Sequence, residues 1–207
     1  MKKIIVLGSG GHAKVVIDTL RQLNLDIIGI ATLSNESSFM GIPIIGNDDD
    51  VLGYSPNDIL LVNGIGSTGN VGLRKKVFLK FKNQGYSFYT MIHPSAILSP
   101  TVILGEGVQI MAGSVVQTDV QIGDNVLLNT RTSIDHECQI GSHSHIAPGC
   151  TLSGQVMIEE EVHLGTGTTV IQQINIGKGV LAGAGSVIIQ DIHSYQKVYG
   201  VPAKVIM

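Results

Sequence analysis

A period of six residues constrains this chain more than any other feature. Counted in sixes from Ser95, the fourth residue of each block is aliphatic: Leu98, Leu104, Ile110, Val116, Ile122, Leu128 and onward to Ala182 and Ile188. The run covers sixteen consecutive blocks, and fifteen of those residues are Ile, Leu or Val. With about half of all residues apolar, such a run arises by chance of order once in 10⁴ or more rarely. The second position is small or β-branched, as at Ala96, Val102, Val108 and Ser114, and Gly often follows the aliphatic, as in Ile122-Gly123 and Ile140-Gly141. An amphipathic helix repeats every ~3.6 residues and cannot carry this period, so the pattern predicts a β-helix.

Composition divides the chain at the start of that repeat. Seven of the nine aromatic residues precede residue 90, and Thr90 to Ser194 holds none, although a globular core of that size ordinarily uses Phe or Tyr. Up to Ile92 there are nine Lys/Arg against seven Asp/Glu; beyond it there are four against nine. Two domains of different kind follow, 1–92 and 93–207, meeting at His93-Pro94, where proline discourages helix continuation. With 43% apolar and 14% charged residues, the 207-residue chain can bury a core, which excludes disorder. A net charge of −3 argues against a nucleic-acid partner. No apolar run approaches the ~18 residues of a membrane span. The opening Met1-Lys2-Lys3-Ile4-Ile5-Val6-Leu7 reaches Gly8 after four apolar residues and reads as a first strand rather than a signal peptide. Two cysteines make no disulfide framework, and a cytoplasmic protein is expected.

The first domain holds a loop suited to an anion. Lys3 to Leu7 has a buried-strand pattern, Gly8-Ser9-Gly10-Gly11-His12 follows, and Ala13 to Leu23 reads as a helix with Val15, Val16, Thr19, Leu20 and Leu23 on one face. Glycines let the backbone approach a ligand, and a helix start offers free N–H groups and the positive end of its dipole. Strands at 26–30, 58–62 and 86–89, and a helix from Arg74 through Lys82, complete a short Rossmann-like βαβ unit; Asn63-Gly64-Ile65-Gly66-Ser67 follows the third strand. An NAD fingerprint requires an acid at the end of the second strand. Ala31-Thr32-Leu33 supplies none, and the unit is shorter than a full dinucleotide fold, so a mononucleotide diphosphate fits better. The competing reading is a glycine turn that only packs helix on strand.

The hexad pattern resembles that of the hexapeptide-repeat acyltransferases, whose fold is a left-handed parallel β-helix. There three hexads make one triangular coil, residues 18 apart stack, and ladders of Ile, Leu and Val fill a prism too narrow for aromatics. Sixteen hexads would give a little over five coils. On that fold Cys138 and Cys150 point inward from different faces, which predicts unpaired, inert thiols.

With a Rossmann-like domain in front, the whole chain resembles the PglD/NeuD-like bacterial nucleotide-sugar acetyltransferases. The resemblance rests on Gly8-Ser9-Gly10-Gly11-His12, Ile92-His93-Pro94-Ser95-Ala96, Leu128-Asn129-Thr130, Ile134-Asp135-His136-Glu137-Cys138, His145-Ile146-Ala147-Pro148-Gly149 and Gly200-Val201-Pro202-Ala203-Lys204. It implies an α/β Rossmann-like domain followed by an all-β left-handed parallel β-helix. It also implies acetyl-CoA-dependent N-acetylation of a nucleotide-linked 4-amino-4,6-dideoxy sugar for surface glycans, by direct transfer and without a metal. A homotrimer with acetyl-CoA between coils of two subunits is expected, with no membrane insertion.

By the same resemblance His136 is the general base and Glu137 modulates it. Gly10, Gly11, His12 and Gly66 hold the nucleotide sugar, with His12 at the helix start touching a phosphate. Asn129 lies near the substrate and His145 near the acetyl group, while Gly154, Thr166 and Ala184 contact acetyl-CoA. The chemistry is consistent with this. An amine attacks a thioester only as the free base, and histidine is the side chain poised to take its proton near neutrality. The oxyanion formed needs fixed donors, and Gly154 would stack one coil above His136. UDP is the first candidate nucleotide, with dTDP or GDP next. UDP-binding relatives carry adjacent aspartates after the second strand, where this chain departs from the pattern with Thr32 and Leu33.

Three rivals remain open on the sequence. An O-acetyltransferase acting on a sialic acid or other sugar hydroxyl would use the same histidine. A metal-dependent lyase similar to γ-class carbonic anhydrase needs three histidines around zinc, and this chain lacks that group's H-x4-H pair. A nucleotide-sensing scaffold would tolerate His136→Ala in every function. Elsewhere His143 reads as surface, and Glu159-Glu160-Glu161 as a solvated coil corner. His163, 18 residues after His145, reads as packing beside it or as half of a metal site.

Overall fold

The aliphatic runs of the first domain become a sheet flanked by helices. In order these are β1 (Lys3–Leu7), α1 (Gly11–Gln22), β2 (Ile27–Ala31), β3 (Ser38–Phe39), β4 (Ile42–Gly46), β5 (Ile59–Asn63) and α2 (Gly72–Lys82), in a computed structural model that describes residues 3–206. The sheet order is β3-β4-β2-β1-β5, parallel except for the antiparallel β3. Central β1 has Ile4, Ile5, Val6 and Leu7 at 1% exposure or less, as expected of a parallel strand covered on both faces. α1 closes one face by burying Ala13, Val16, Ile17 and Leu20. β3, β4 and a 3₁₀ turn at Asp50–Gly53 occupy a stretch where the sequence pattern predicts no element. Residues 86–89, predicted as a strand, make only an isolated bridge between Leu61 and Phe88. The Phe88 N–H donates to the Glu106 carboxylate at 2.7 Å, which draws it away from a continuing ladder.

From β6 (Met91–Ile92) onward, two-residue strands recur every six residues up to Val187–Ile188. They form three parallel sheets of a left-handed β-helix, one to each face of the prism, with strands 18 residues apart as neighbours. The fourth-position aliphatics fill the interior, as do second-position residues such as Val108, Val126, Cys138 and Cys150. The repeat begins one hexad earlier than the sixteen-block run, at Ile92, which pairs with Ile110.

The coil corners explain the rest of the hexad. Every sixth residue from Gly107 to Gly185 has φ between 55° and 71°, and Asp119, Asn125, Arg131, Glu137, His143, Gln155, Glu161 and Gln173 adopt it without being glycine. That conformation costs an L-residue about 1 kcal/mol or more. From Asn125 onward each corner N–H donates to a carbonyl of the previous coil: Glu137 N–H to Thr118 O at 3.0 Å, and Gln155 N–H to His136 O at 2.9 Å. The glycine that follows the aliphatic has another cause. A Cβ on Gly141 would lie 2.5 Å from the Glu159–Glu160 backbone, so coils can stack this closely only without one.

The two units share a core. Met91, Met111 and Leu127 of the β-helix pack with Ile4, Val6, Ala13 and Ile17. This docking corrects two surface expectations. His143 is 7% exposed, lies edge-on to Phe78 of α2 with centroids 5.6 Å apart, and meets Asn125 Nδ2 at 3.1 Å. Glu161 pairs with Lys75 of α2 at 2.8 Å and with Lys178 at 3.3 Å, and Glu160 also pairs with Lys178. The bond from Lys75 holds the Glu161 carboxyl below its usual range. Cys138 and Cys150 are buried and unpaired. Burial pushes the Cys150 thiol up to about 11, and it donates to Gly165 O at 3.1 Å. Among the described residues no helix is long and apolar enough to cross a membrane.

Candidate active site

The turn after β1 depends on Gly8, whose φ of 97° favours glycine and whose N–H donates to Ala31 O at 2.7 Å. α1 then begins with Gly10 as its N-cap, without a side-chain cap and without an acid in its first turn. Its first N–H groups therefore stay available to an anion. They face a cavity of about 810 Å³ lined by Gly8 to His12, by Gly64 to Thr68, and by Leu127, Asn129 and His145 of the β-helix. Gly10, Gly11, His12, Gly66 and Asn129 thus line one space, with His145 beside them.

Hydrogen bonding fixes the proton on both histidines of this cavity. Gln109 Nε2 donates to Asn63 O at 2.8 Å, so Gln109 Oε1 is the acceptor for His12 Nε2–H at 2.8 Å. Burial, and then the charge of Arg74, lower His12 to about 4, against the opposing Gln109 bond. A phosphate here would meet backbone N–H groups rather than an imidazolium. Asn129 Oδ1 accepts from Thr130 N–H at 2.8 Å, which turns its Nδ2 toward His145 Nε2 at 3.1 Å. His145 therefore carries its proton on Nδ1 and donates it to Ser67 Oγ at 2.6 Å. Burial lowers His145 to about 2, helped by His163, Arg74 and His12. It is a neutral strut between the β-helix and the first domain.

Two further cavities adjoin the first. One of about 520 Å³ shares Gly8, Ile65 and Leu73 with it and is lined by Ala31, Thr32, Leu33, Val77 and the polar run Asn47, Asp48, Asp49. The other, about 510 Å³, shares Ser67, Thr68, Asn129 and His145 and is lined by His163, Thr166, Ala184 and Tyr199. Thr166, Ala184 and His145 are thereby brought together.

His136, Glu137 and Gly154 form a second group on another corner of the prism and line none of these three cavities. His136 Nδ1–H donates to Glu137 Oε2 at 3.0 Å, and Gln155 Nε2 donates to the same oxygen at 3.1 Å. The neutral ring then carries its lone pair on Nε2. Gly154 gives the ring its place, because a Cβ there would lie 2.5 Å from His136 Cε1 and Nε2. The side chains of His136 and Glu137 are 48% and 52% exposed.

Sequence reasoning missed Ser67, Gln109 and Arg74. Ser67 ends the second glycine loop, which is a signal; nothing local to Gln109 or Arg74 in the sequence marks them. Among the described residues no group of three or more His, Cys, Asp or Glu is placed to hold a metal. His145 and His163 meet edge-to-face with centroids 4.9 Å apart.

Residues 3–81 match the PglD N-terminal domain, and residues 101–136 and 119–154 match the bacterial transferase hexapeptide (six repeats). Perosamine N-acetyltransferase from Caulobacter crescentus, seen as an asparagine-for-histidine variant with CoA and GDP-perosamine, is 35% identical; the alignment covers 100% of this chain and 98% of that one, with a TM-score of 0.94. The chain belongs to the PglD-like family of nucleotide-sugar N-acetyltransferases. Within this family the acetyltransferase domain of PglB from Neisseria gonorrhoeae FA1090 is 36% identical over 100% of both chains, with a TM-score of 0.93. A second structure of that domain contains acetyl coenzyme A. UDP-N-acetylbacillosamine N-acetyltransferase of Bacillus subtilis (strain 168) is 33% identical over 121 residues, 54% of this chain and 52% of that protein. The match therefore spans about half the length of that curated relative.

Proposed function

We propose that this protein transfers the acetyl group of acetyl-CoA directly to the amine of a nucleotide-linked 4-amino-4,6-dideoxy sugar, in the cytoplasm and for surface-glycan synthesis. The continuity of the three cavities carries this reading. The nucleobase enters the apolar cavity beside Leu33 and Leu73, and the diphosphate lies on the first N–H groups of α1. The sugar reaches Asn129, while acetyl-CoA occupies the cavity of Thr166 and Ala184, so the two ligands meet at Asn129 and His145. Asp48 and Asp49 supply the base-facing carboxylates that Thr32 and Leu33 lack, with Asp49 also paired to Lys80 at 2.8 Å. UDP remains the first candidate, ahead of dTDP and GDP.

The base in this reaction is His136, through Nε2, with Glu137 accepting from Nδ1–H and Gly154 N–H as the donor for the oxyanion. This group stands apart from the cavities of its own chain, so the reading requires a trimer in which the His136 corner of one subunit faces the cavities of the next. Thiol release from acetyl-CoA is measured with UDP-, dTDP- and GDP-linked 4-amino-6-deoxy sugars. The expected result is turnover on one of them, lost in His136→Ala. Silence on every amine with turnover on a hydroxyl sugar would replace it with O-acetylation. Mixed trimers of His136→Ala chains and chains blocked at the Thr166–Ala184 cavity should regain part of the activity; no recovery rejects the shared site.

A further inference from the structure

Arg74, in the first turn of α2, is 1% exposed. Its Nη1 donates to Asn63 O at 3.1 Å and to Ile65 O at 2.9 Å, which pins the second glycine loop. Nε and Nη2 find no acceptor among the described residues, and none of the ion pairs there includes Arg74. Proteins ordinarily pair or neutralise a buried charge. Burial lowers this guanidinium to about 9, which still leaves it charged at pH 7. Its Nη1 holds the carbonyl of Ile65, a residue of the cavity lining, and its charge helps to lower His12 and His145 there. Those two histidines are neutral, and the uncapped start of α1 opens on the same space. The chain thus holds an unpaired positive charge behind the second glycine loop, on the cavity that the uncapped start of α1 also faces.

We infer that Arg74 is the fixed counter-charge for the diphosphate of the nucleotide sugar, acting from beneath the Asn63–Ser67 loop without touching the ligand, and that it makes the site select diphosphates. This rests on the nucleotide-sugar reading above. Arg74 is a positioning residue, so its test must separate charge from mere loop support. Calorimetry on the full chain compares UDP, GDP or dTDP, whichever binds, with its nucleoside. In the native protein the diphosphate should bind at least tenfold more tightly than the nucleoside. Arg74→Gln should cut that ratio about tenfold. Arg74→Lys keeps the charge but not the two-pronged grip, so it should weaken both ligands while holding the ratio within about threefold.

A ratio unchanged in Arg74→Gln, with both ligands weakened alike, overturns the inference and leaves Arg74 as loop support. If Arg74→Gln does not fold, Arg74→Lys decides, and loss of the ratio there overturns it. Equal binding of nucleoside and diphosphate by the native protein does so as well. Binding of acetyl-CoA but of no nucleotide would instead remove the nucleotide-sugar reading itself.

Discussion

His136 and His145 lie nine residues apart on the same β-helix, yet their surroundings differ in nearly every respect. His136 is half exposed at a corner, bonded to a carboxylate and seated over a glycine. His145 is 4% exposed, bonded to an amide and a hydroxyl, and lies near the Arg74 cation and two other imidazoles. The first setting leaves Nε2 open and gives a developing imidazolium a counter-charge. The second makes a proton unwelcome and locks the ring's orientation. The first setting suits the base proposed above, and the second suits a side chain that holds a shape.

The largest expected effect tests the role proposed for His136. His136→Ala should lower acetyl transfer about 10³-fold, while nucleotide affinity and melting temperature stay near native values. An equal loss of nucleotide affinity would erase the contrast with His145.

Acid tests the second setting. His12 and His145 sit at about 4 and about 2, below the unfolded value of 6.5. Between 6.5 and those values the unfolded chain binds more protons, so their contribution is complete above pH 6.5 and is lost as pH falls. For His12 the loss reaches at most about 3 kcal/mol by pH 4, less where solvent screens it. Denaturant melts from pH 7 to pH 4 should slope downward in the native protein and in His136→Ala, and less steeply in His145→Gln. Identical slopes in all three would remove the structural role given to His145.

Gly154→Ala is expected to cost about tenfold to a hundredfold in kcat, since its Cβ would displace the His136 ring, with little change in nucleotide affinity. The smallest effect belongs to Glu137→Gln, which keeps a hydrogen-bonding side chain and removes the charge. About a tenfold fall in kcat is expected, and none at all would make Glu137 a corner residue only.

The β-helix was legible because the fourth hexad position faces the prism in every block and takes only aliphatics, while the inward second position takes small or β-branched residues. The stacking of Gly154 on His136 follows from the same period by counting. The α/β unit was legible in β1, α1, β2, β5 and α2, where apolar runs are long. β3 is only two residues, and β4 contains Pro43, so neither leaves a pattern. His143, Glu161, Gln109 and Arg74 were misread or missed. His143, Glu161 and Gln109 take partners from docking of the α/β unit on the β-helix, at separations such as the 86 residues between Lys75 and Glu161, and Arg74 takes its own from the loop that β5 feeds. No local pattern carries such a contact.

The 18-residue coil also sets which length changes the chain tolerates. Adding or deleting one hexad between His145 and His163 would preserve every inward aliphatic and every corner. It would also turn the rest of the prism by a third of a revolution. Thr166 and Ala184 would then move to another face, away from His145, in a molecule whose core is unharmed. Only steps of a whole coil restore the faces, and even those lengthen the distance between partners. The fold is forgiving in units of six and the chemistry only in units of eighteen.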